Sequence, residues 1–239
     1  MKLVALLVLV LLELIGLRTE TQEDPPIEEI FLALPADAFS LGKLQPAISQ
    51  EHRQIILRST TWSKAQALME DFAFDTLNGE GPRLPIYKLD TTQLFSNYLE
   101  FQSLADDGFV ASLKTWKRVE DGLLVGLNVS EGDMCCDYSE IKFYLYQDTV
   151  LTEVTEQVFP ELGIDHFATQ ISERARALLP PPLQHTFHMY PSNDTIEVTI
   201  DHTPQIYDFY ESNDLDDELV ITDQALKLTW DGNKFTLVR

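Results

Sequence analysis

Carboxylates and aromatic side chains are concentrated in one stretch of this sequence, between residues 207 and 218. The interval between Arg176 and Lys227 contains no other lysine or arginine, so these carboxylates have no basic neighbour in sequence. Hard cations such as Ca²⁺ bind about six to eight oxygen atoms, which clustered carboxylates and an asparagine carbonyl can supply. The alternative is a solvated acidic loop, because the spacing departs from that of an EF-hand. The stretch predicts a Ca²⁺ site, or a surface that binds a protein or glycan, with these candidate residues: Asp208, Glu211, Asp214, Asp216, Asp217 and Glu218.

The histidines do not form a metal-binding motif. His185 and His188 are three residues apart. On a strand this spacing places the two rings on opposite faces, so they cannot bind one metal ion together. His52, His166 and His202 are isolated in the sequence. Apart from Ca²⁺, the sequence predicts no cofactor.

The two cysteines, Cys135 and Cys136, are adjacent, which excludes a long-range disulfide framework within the chain. In an oxidising compartment they could form a vicinal disulfide, whose small ring is strained. Two reduced thiols are the alternative.

Pairs of carboxylates raise the hypothesis of a glycoside hydrolase, whose two carboxyl groups stand about 5.5 Å or about 6.5–9.5 Å apart. Glu197 and Asp201 share one face of a predicted strand, but their spacing separates them by about 13 Å. Only carboxylates that meet across strands could serve. The sequence contains no glycine-rich phosphate loop, no nucleophile elbow and no His-Glu-x-x-His motif, which disfavours nucleotide-dependent catalysis.

The formal net charge is −22, from 39 acidic and 17 basic residues. Such a charge repels nucleic acid and anionic lipid headgroups, and it favours solubility. The one basic cluster is formed by Lys114, Lys117 and Arg118 around Trp116. It predicts either an internal partner for the acidic stretch or an edge strand that lysines protect from aggregation.

The N-terminus has the pattern of an export signal. Met1-Lys2 precedes an apolar run from Leu3 to Leu12, which is shorter than the roughly 20 residues that span a bilayer. Residues 1–21 are therefore predicted to be a signal peptide, and the protein to be periplasmic, secreted or on the cell surface. An uncleaved N-terminal membrane anchor is the alternative, because no Ala-x-Ala cleavage site is present.

The remainder predicts an acidic linker at 22–29 and one α+β domain over 30–239. The three prolines at 180–182 are an alternative domain boundary. Apolar spacing predicts helices over residues 46–58, 63–74 and 166–179.

From about residue 86 the pattern is that of a mostly antiparallel sheet of meanders and hairpins. Asp-Gly pairs separate several apolar runs, which is typical of hairpin turns. Thr195–His202 alternates apolar and polar residues, so one face is predicted to be core and the other solvent. The predicted strands are residues 97–104, 109–119, 123–129, 141–146, 150–154, 184–190, 195–202 and 219–222, with a last hairpin over 226–238.

Several short motifs occur in a familiar order: Leu34-Pro35, Asn97-Tyr98-Leu99-Glu100, the Asp-Gly hairpin, the cysteine turn before Phe143-Tyr144, and the ending Leu228-x-Trp230-x-Gly232-x-x-Phe235. In these motifs the chain resembles uncharacterised exported β-rich proteins of the Bacteroidota type. The resemblance implies export and a β-rich fold, and it implies no catalytic residue.

Two functions follow as hypotheses. The first is a non-enzymatic exported binding or accessory protein that uses the acidic aromatic stretch. The second is a secreted hydrolase with cross-strand carboxylates.

Overall fold

The architecture comes from a computed structural model, which describes residues 24–40, 47–77, 85–103, 108–118, 122–132, 137–177, 184–200, 211–215, 218–222 and 224–238. The predicted leader, residues 1–21, lies outside these ranges. Within them, no helix is both long and apolar enough to cross a lipid bilayer.

A six-stranded antiparallel meander forms the middle of the protein, with its strands in chain order. Gly122 has φ 111°, a conformation that glycine adopts freely, at the turn between the third and fourth strands. Asp148 and Thr149 both have positive φ, as a two-residue hairpin turn requires. The predicted antiparallel character is confirmed. The strands are β1 (Tyr87–Leu89), β2 (Tyr98–Ser103), β3 (Val110–Lys117), β4 (Leu123–Gly132), β5 (Asp137–Gln147) and β6 (Val150–Glu153).

Two smaller sheets follow in the sequence. β7 (Ala168–Ile171) pairs with β10 (Leu219–Ile221). A four-stranded sheet has the order β12-β11-β9-β8. The alternation predicted for β9 is confirmed, since Ile196, Val198 and Ile200 are buried while their neighbours are partly exposed. The strands of this sheet are β8 (His185–Met189), β9 (Thr195–Ile200), β11 (Leu226–Trp230) and β12 (Phe235–Val238).

Six α-helices lie in the described ranges, together with 3₁₀ turns at Ala36–Phe39 and Thr91–Gln93. The second helix starts after Ser49, whose hydroxyl accepts a hydrogen bond from the His52 amide at 3.2 Å. The helix predicted over residues 46–58 does end at Arg58. Pro46, at its predicted start, lies outside the described residues. The helix predicted over 63–74 is present within a longer one. The helices are α1 (Ile27–Ala33), α2 (Gln50–Arg58), α3 (Trp62–Leu77), α4 (Thr155–Val158), α5 (Ile164–Phe167) and α6 (Glu173–Ala177).

Two predictions of secondary structure are wrong, one of a linker and one of a helix. Residues 27–29 belong to the first turn of α1 rather than to an acidic linker. The single helix expected over 166–179 is instead α5, β7 and α6 in succession. Pairing of β7 with β10 imposes an extended backbone, and the Ser172 hydroxyl then accepts from the Ala175 amide at 3.0 Å to begin α6.

The first core lies between the N-terminal helices and one face of the six-stranded sheet. Aromatic rings fill it, and the Phe31 and Phe39 rings lie 5.4 and 5.9 Å from the Phe101 ring. Tyr87 contacts Phe101 edge-on at 5.5 Å. These contacts hold α1 and the first 3₁₀ turn against β1 and β2.

Arg53 connects the N-terminal segments from inside this layer. Its buried guanidinium donates to the carbonyl oxygens of Ile48, Leu32 and Leu34 at 2.6, 3.0 and 2.7 Å. The guanidinium carbon also lies 5.6 Å from the centre of the Phe39 ring. Burial lowers the pKa of Arg53, and the Glu51 carboxylate partly opposes this effect. Three hydrogen bonds from its terminal nitrogens to backbone carbonyls thus join two chain segments, while its Nε–H has no acceptor among the described residues.

The second core lies between the opposite face of the six-stranded sheet and the four-stranded sheet. The Phe235 ring lies 5.3, 5.0 and 5.1 Å from the rings of Trp116, Phe143 and Trp230. Residues before and after the proline triplet 180–182, which lies outside the described residues, share this core.

A buried polar bridge fixes β8 on β4 and β5. The Asn128 side chain donates to the Phe187 carbonyl at 2.9 Å, and its oxygen accepts from the Ser139 hydroxyl at 2.8 Å. The Phe187 amide donates to the same hydroxyl at 3.3 Å. This closed set of bonds satisfies the buried amide and orients one sheet on the other.

Gly126 provides the space that the second core needs. A Cβ atom there would lie 2.7 Å from Trp116 Cζ3 and 2.9 Å from Phe143 Cε1. Gly126→Ala should therefore destabilise the protein by about 1–3 kcal/mol, because two packed rings must move. Urea unfolding measures the change. Gly163→Ala is the control, since a Cβ at Gly163 meets nothing within 4 Å. Equal effects of the two substitutions would contradict this packing.

His52 should make stability depend on pH. Burial lowers its pKa from 6.5 to about 4, in spite of a hydrogen bond with the backbone of Pro85. As pH falls from 6.5 to 4, the unfolded chain gains a proton here that the native protein resists, so the free energy of unfolding falls. A pKa difference of this size corresponds to about 3 kcal/mol.

Urea unfolding of wild type and His52→Gln between pH 7 and pH 4 tests this dependence. The wild type should lose about 3 kcal/mol more than the variant over this range, because the carboxylates titrate alike in both proteins. His188→Gln, at an exposed position, is the control. Parallel pH profiles of wild type and His52→Gln would rule out the buried neutral histidine.

Candidate functional site

A cleft of about 880 Å³ opens where the ends of the three layers meet. Its lining comes from the segment 24–28, the turn 94–97, the end of β3 at 115–117, Asp194 before β9, and Trp230 at the end of β11. Ligand pockets are commonly about 300–1,000 Å³. We refer to this feature as the aromatic cleft.

Phe95 is the most exposed aromatic side chain of the cleft, with 46% of its surface accessible. It begins a tight turn in which the Phe95 amide donates to the Tyr98 carbonyl at 2.8 Å and the Tyr98 amide donates back at 3.3 Å. The Thr115 amide on β3 donates to the Asn97 carbonyl at 3.0 Å. These bonds hold the turn in place, so a ligand that contacts Phe95 has little backbone to order.

Two tryptophans extend the aromatic lining inward. The Trp230 indole donates to the Lys117 carbonyl at 2.8 Å, and the Trp230 amide donates to the Asp194 carbonyl at 3.1 Å. Trp116 is buried, and its indole N–H has no acceptor among the residues that the structure describes. The two tryptophans are therefore largely buried beneath the cleft, where hydrogen bonds fix Trp230.

Carboxylates outnumber ammonium groups in the lining. Asp24 Oδ2 lies 2.8 Å from Lys117 Nζ, and this bond raises the pKa of Lys117. The Lys117 side chain is nevertheless 82% exposed and that of Asp24 47% exposed. Glu28 and Asp194 also line the cleft and form no ion pair within the described residues. Among the described lining residues, three carboxylates thus stand beside one lysine, and the buried Lys114 ammonium acts on Asp194 from behind.

Lys114 positions the turn that carries Asp194. Its buried ammonium donates to the carbonyl oxygens of Tyr190 and Asn193, and it lies 5.3 Å from the centre of the Trp116 ring. Burial lowers the pKa of Lys114, and the Asp194 carboxylate partly opposes this effect. The residue connects β3 to the β8–β9 turn and does not line the cleft itself.

A second, smaller groove of about 350 Å³ lies between β5, α4 and β8. His185 lines it, with its ring 5.5 Å from Phe167 and 5.9 Å from Phe187. Burial lowers the pKa of His185. Glu140 at the same groove forms an ion pair with Lys142 at 3.1 Å.

The acidic aromatic stretch is described only in part. Asp208, Asp216 and Asp217 lie outside the described residues, and Glu211 and Asp214 are exposed.

Glu218, the remaining residue of the stretch, is held in place. It accepts from the Ser172 hydroxyl at 2.6 Å and pairs with the Arg174 guanidinium at 3.0 Å. The Ser172 hydrogen bond and the Arg174 charge lower the pKa of Glu218. Arg174 also donates to the Asn213 carbonyl at 3.0 Å, so these contacts connect the stretch to α6.

The histidine prediction agrees with the structure, because half-buried His185 and exposed His188 point to opposite faces of β8. In the described part of the chain, no group of three or more histidines, cysteines and carboxylates could hold a metal ion. Cys135 and Cys136 lie outside the described residues.

The interpretation of Lys114, Lys117 and Arg118 as part of an edge strand is wrong, because β3 lies between β2 and β4. Lys117 pairs with Asp24, and Lys114 donates to backbone carbonyls. The described partners of both lysines therefore lie outside the acidic stretch.

Comparison with known proteins supports the fold alone. No family model matches the sequence, and no curated protein matches it. The chain is similar to the solved structure of a domain of an uncharacterized protein from Porphyromonas gingivalis W83, with a TM-score of 0.57 and 15% sequence identity. The match covers 89% of this chain and 97% of the other. It is consistent with the expected resemblance to uncharacterised Bacteroidota proteins.

Sequence reasoning missed the aromatic cleft. Asp24, Phe95, Asp194 and Trp230 are distant in sequence, and only the packing of three layers brings them together. Trp230 belongs to the C-terminal motif, but a single tryptophan in a sequence is as typical of a hydrophobic core as of a binding site. The one local signal is Phe95, an apolar residue directly before the polar turn Ser96-Asn97.

Lys114→Met should loosen the Asp194 side of the cleft. The substitution removes two charge-assisted hydrogen bonds from the β8–β9 turn, so we expect a loss of about 1.5–3 kcal/mol in the free energy of unfolding. Amide hydrogen exchange should become faster around residues 193–195. Lys227→Met changes the net charge equally but affects only an exposed pair with Glu197, and it should have an effect below about 1 kcal/mol. Unchanged exchange at the turn in Lys114→Met would contradict the positioning role.

Proposed function

We propose that this chain is a non-enzymatic exported binding protein and that its partner binds in the aromatic cleft. The observation that carries the proposal is the exposed Phe95, held by a hydrogen-bonded turn beside Glu28 and Asp194, which form no ion pair with a described residue. Binding sites combine apolar surface with a few fixed polar groups in a concavity. The apolar leader of the sequence supports export.

The cleft is a stronger candidate than the acidic aromatic stretch. In that stretch Glu218 already accepts from Ser172 and pairs with Arg174, so its charge is partly neutralised and it is a weaker ligand for Ca²⁺. The cleft, in contrast, offers the exposed ring of Phe95 and the carboxylates of Glu28 and Asp194, which form no ion pair with a described residue. A partner protein or glycan therefore fits the cleft better than Ca²⁺ fits the stretch.

A hydrolase remains the second candidate, since carboxylates line both the cleft and the smaller groove. A general acid needs a carboxyl group whose pKa is raised. Among the described residues, the carboxyl groups with a clear pKa shift are Asp90, Glu197, Glu218 and Asp231, and each pKa is lowered, chiefly by hydrogen bonds that the carboxylate accepts. In these four groups the charged form is stabilised, which does not suit a general acid.

Printed arrays of defined oligosaccharides and defined peptides test the proposal. Wild type should bind a subset of probes, and Phe95→Ala should weaken that binding about tenfold or more, as expected when an anchoring aromatic side chain is truncated. Val150→Ala is the matched control, because Val150 is also an exposed apolar residue, at 59%, and lies outside the cleft. It should bind like wild type.

Other outcomes would move or replace the site. If Phe95→Ala binds like wild type while Glu211→Gln/Asp214→Asn loses binding, the acidic stretch is the site. A rise in Tm with Ca²⁺ that EDTA reverses would support the same conclusion. Release of reducing sugar from an oligosaccharide probe would favour the hydrolase.

A further inference from the structure

We infer that the aromatic cleft binds an extended, lysine- or arginine-bearing segment of a partner protein. A cationic side chain of that segment takes the position that Lys117 holds on Asp24. This inference rests on the proposed binding function and adds the chemical class of the partner.

Charge complementarity is the first argument. Asp24, Glu28 and Asp194 line the cleft, and Lys117 is the basic residue among the lining residues that the structure describes. The full sequence also carries a formal net charge of −22, so the protein as a whole is strongly negative. Such a field attracts cationic partners from a distance and repels anionic ones. A cationic ligand therefore gains from both the local and the long-range electrostatics.

The Asp24–Lys117 pair can exchange its cation. Both side chains are largely exposed, at 47% and 82%, and exposed ion pairs contribute little to stability. A ligand ammonium or guanidinium can replace the Lys117 ammonium on Asp24, and Lys117 then turns into solvent. Lys117 is thus an internal competitor of the ligand.

The aromatic rings suit the same ligand. Cations are attracted to the faces of Trp and Phe rings within about 6 Å. The protein already uses this contact internally, where the Lys114 ammonium lies 5.3 Å from the centre of the Trp116 ring. Phe95, which is 46% exposed, offers ring surface at the cleft next to the carboxylates.

An extended peptide also supplies hydrogen-bond acceptors. A peptide carries a carbonyl oxygen and an amide at every residue, so an extended segment can form hydrogen bonds along the cleft while its side chain meets the carboxylates. A neutral oligosaccharide could also supply oxygen atoms, but it brings no positive charge to Glu28 and Asp194.

Fluorescence anisotropy with a fluorescein-labelled peptide of alternating lysine and serine tests the inference. A peptide with glutamine in place of lysine, and a neutral β-linked glucose oligomer, are the comparison ligands. At about 150 mM salt, where long-range attraction is screened, only the lysine peptide should bind to the wild-type protein. Glu28→Gln/Asp194→Asn should weaken this binding about tenfold or more. Lys117→Met should strengthen it about two- to fivefold, because the internal competitor is gone.

Matched variants separate the cleft from the overall charge. Glu211→Gln/Asp214→Asn removes the same two charges outside the cleft, and Lys227→Met removes the same positive charge as Lys117→Met. Both should bind the lysine peptide like wild type, and thermal melting should show that every variant is folded. If each matched pair changes binding equally, the attraction is that of the whole protein and the inference is overturned.

Failure of the inference is distinguishable from failure of the proposed function. If the glucose oligomer or the glutamine peptide binds, and Phe95→Ala alone weakens it, the cleft is a binding site for a neutral ligand and the cationic assignment is wrong. If the lysine peptide binds but Phe95→Ala and the charge variants leave its affinity unchanged, the cleft is not the site and both proposals fall.

Discussion

Burial of both faces of the six-stranded sheet is the constraint on which the rest of the structure depends. On β3, Ala111 and Leu113 point into the core beneath the helices, and Trp116 points into the core shared with the second sheet. Side chains alternate along a strand with a period of two, so a shift of one residue would send each set to the wrong core. The helical layer and the four-stranded sheet can both pack only when this register is kept.

The same constraint places polar groups in the interior, where they must find partners. Lys114 and Asn128 lie on the face of the sheet that the second sheet covers. Asn128 donates to a backbone carbonyl of β8, and Lys114 donates to two carbonyls of the turn between β8 and β9. An unpaired buried ammonium or amide would be strongly destabilising. These residues therefore determine how the second sheet is oriented, which apolar packing alone specifies less tightly.

The aromatic cleft follows from how the layers end. Its lining comes from the start of α1, the turn before β2, the end of β3 and the last residue of β11, so all three layers contribute. Hydrogen bonds hold Phe95 and Trp230 at this junction, while the carboxylates have weak partners or none in the described chain. The cleft therefore places an exposed aromatic ring beside carboxylates, and on this arrangement the proposed binding function rests.

The sequence by itself determined the class of fold and most of its strands. Turn residues and two-residue alternation are local properties, so β9, the meander and the last hairpin could be predicted from them. Local spacing gives the wrong prediction where a strand pairs with a segment far away in the sequence. The apolar spacing over 166–179 is typical of a helix, but β7 is extended because it pairs with β10. The acidic stretch is visible in the sequence because its residues are neighbours. The sequence does not show that Glu218 hydrogen-bonds to Ser172 and pairs with Arg174. Only the tertiary structure could bring Asp24, Phe95, Asp194 and Trp230 to one cleft, because long-range packing, which no local pattern encodes, decides which chain ends meet.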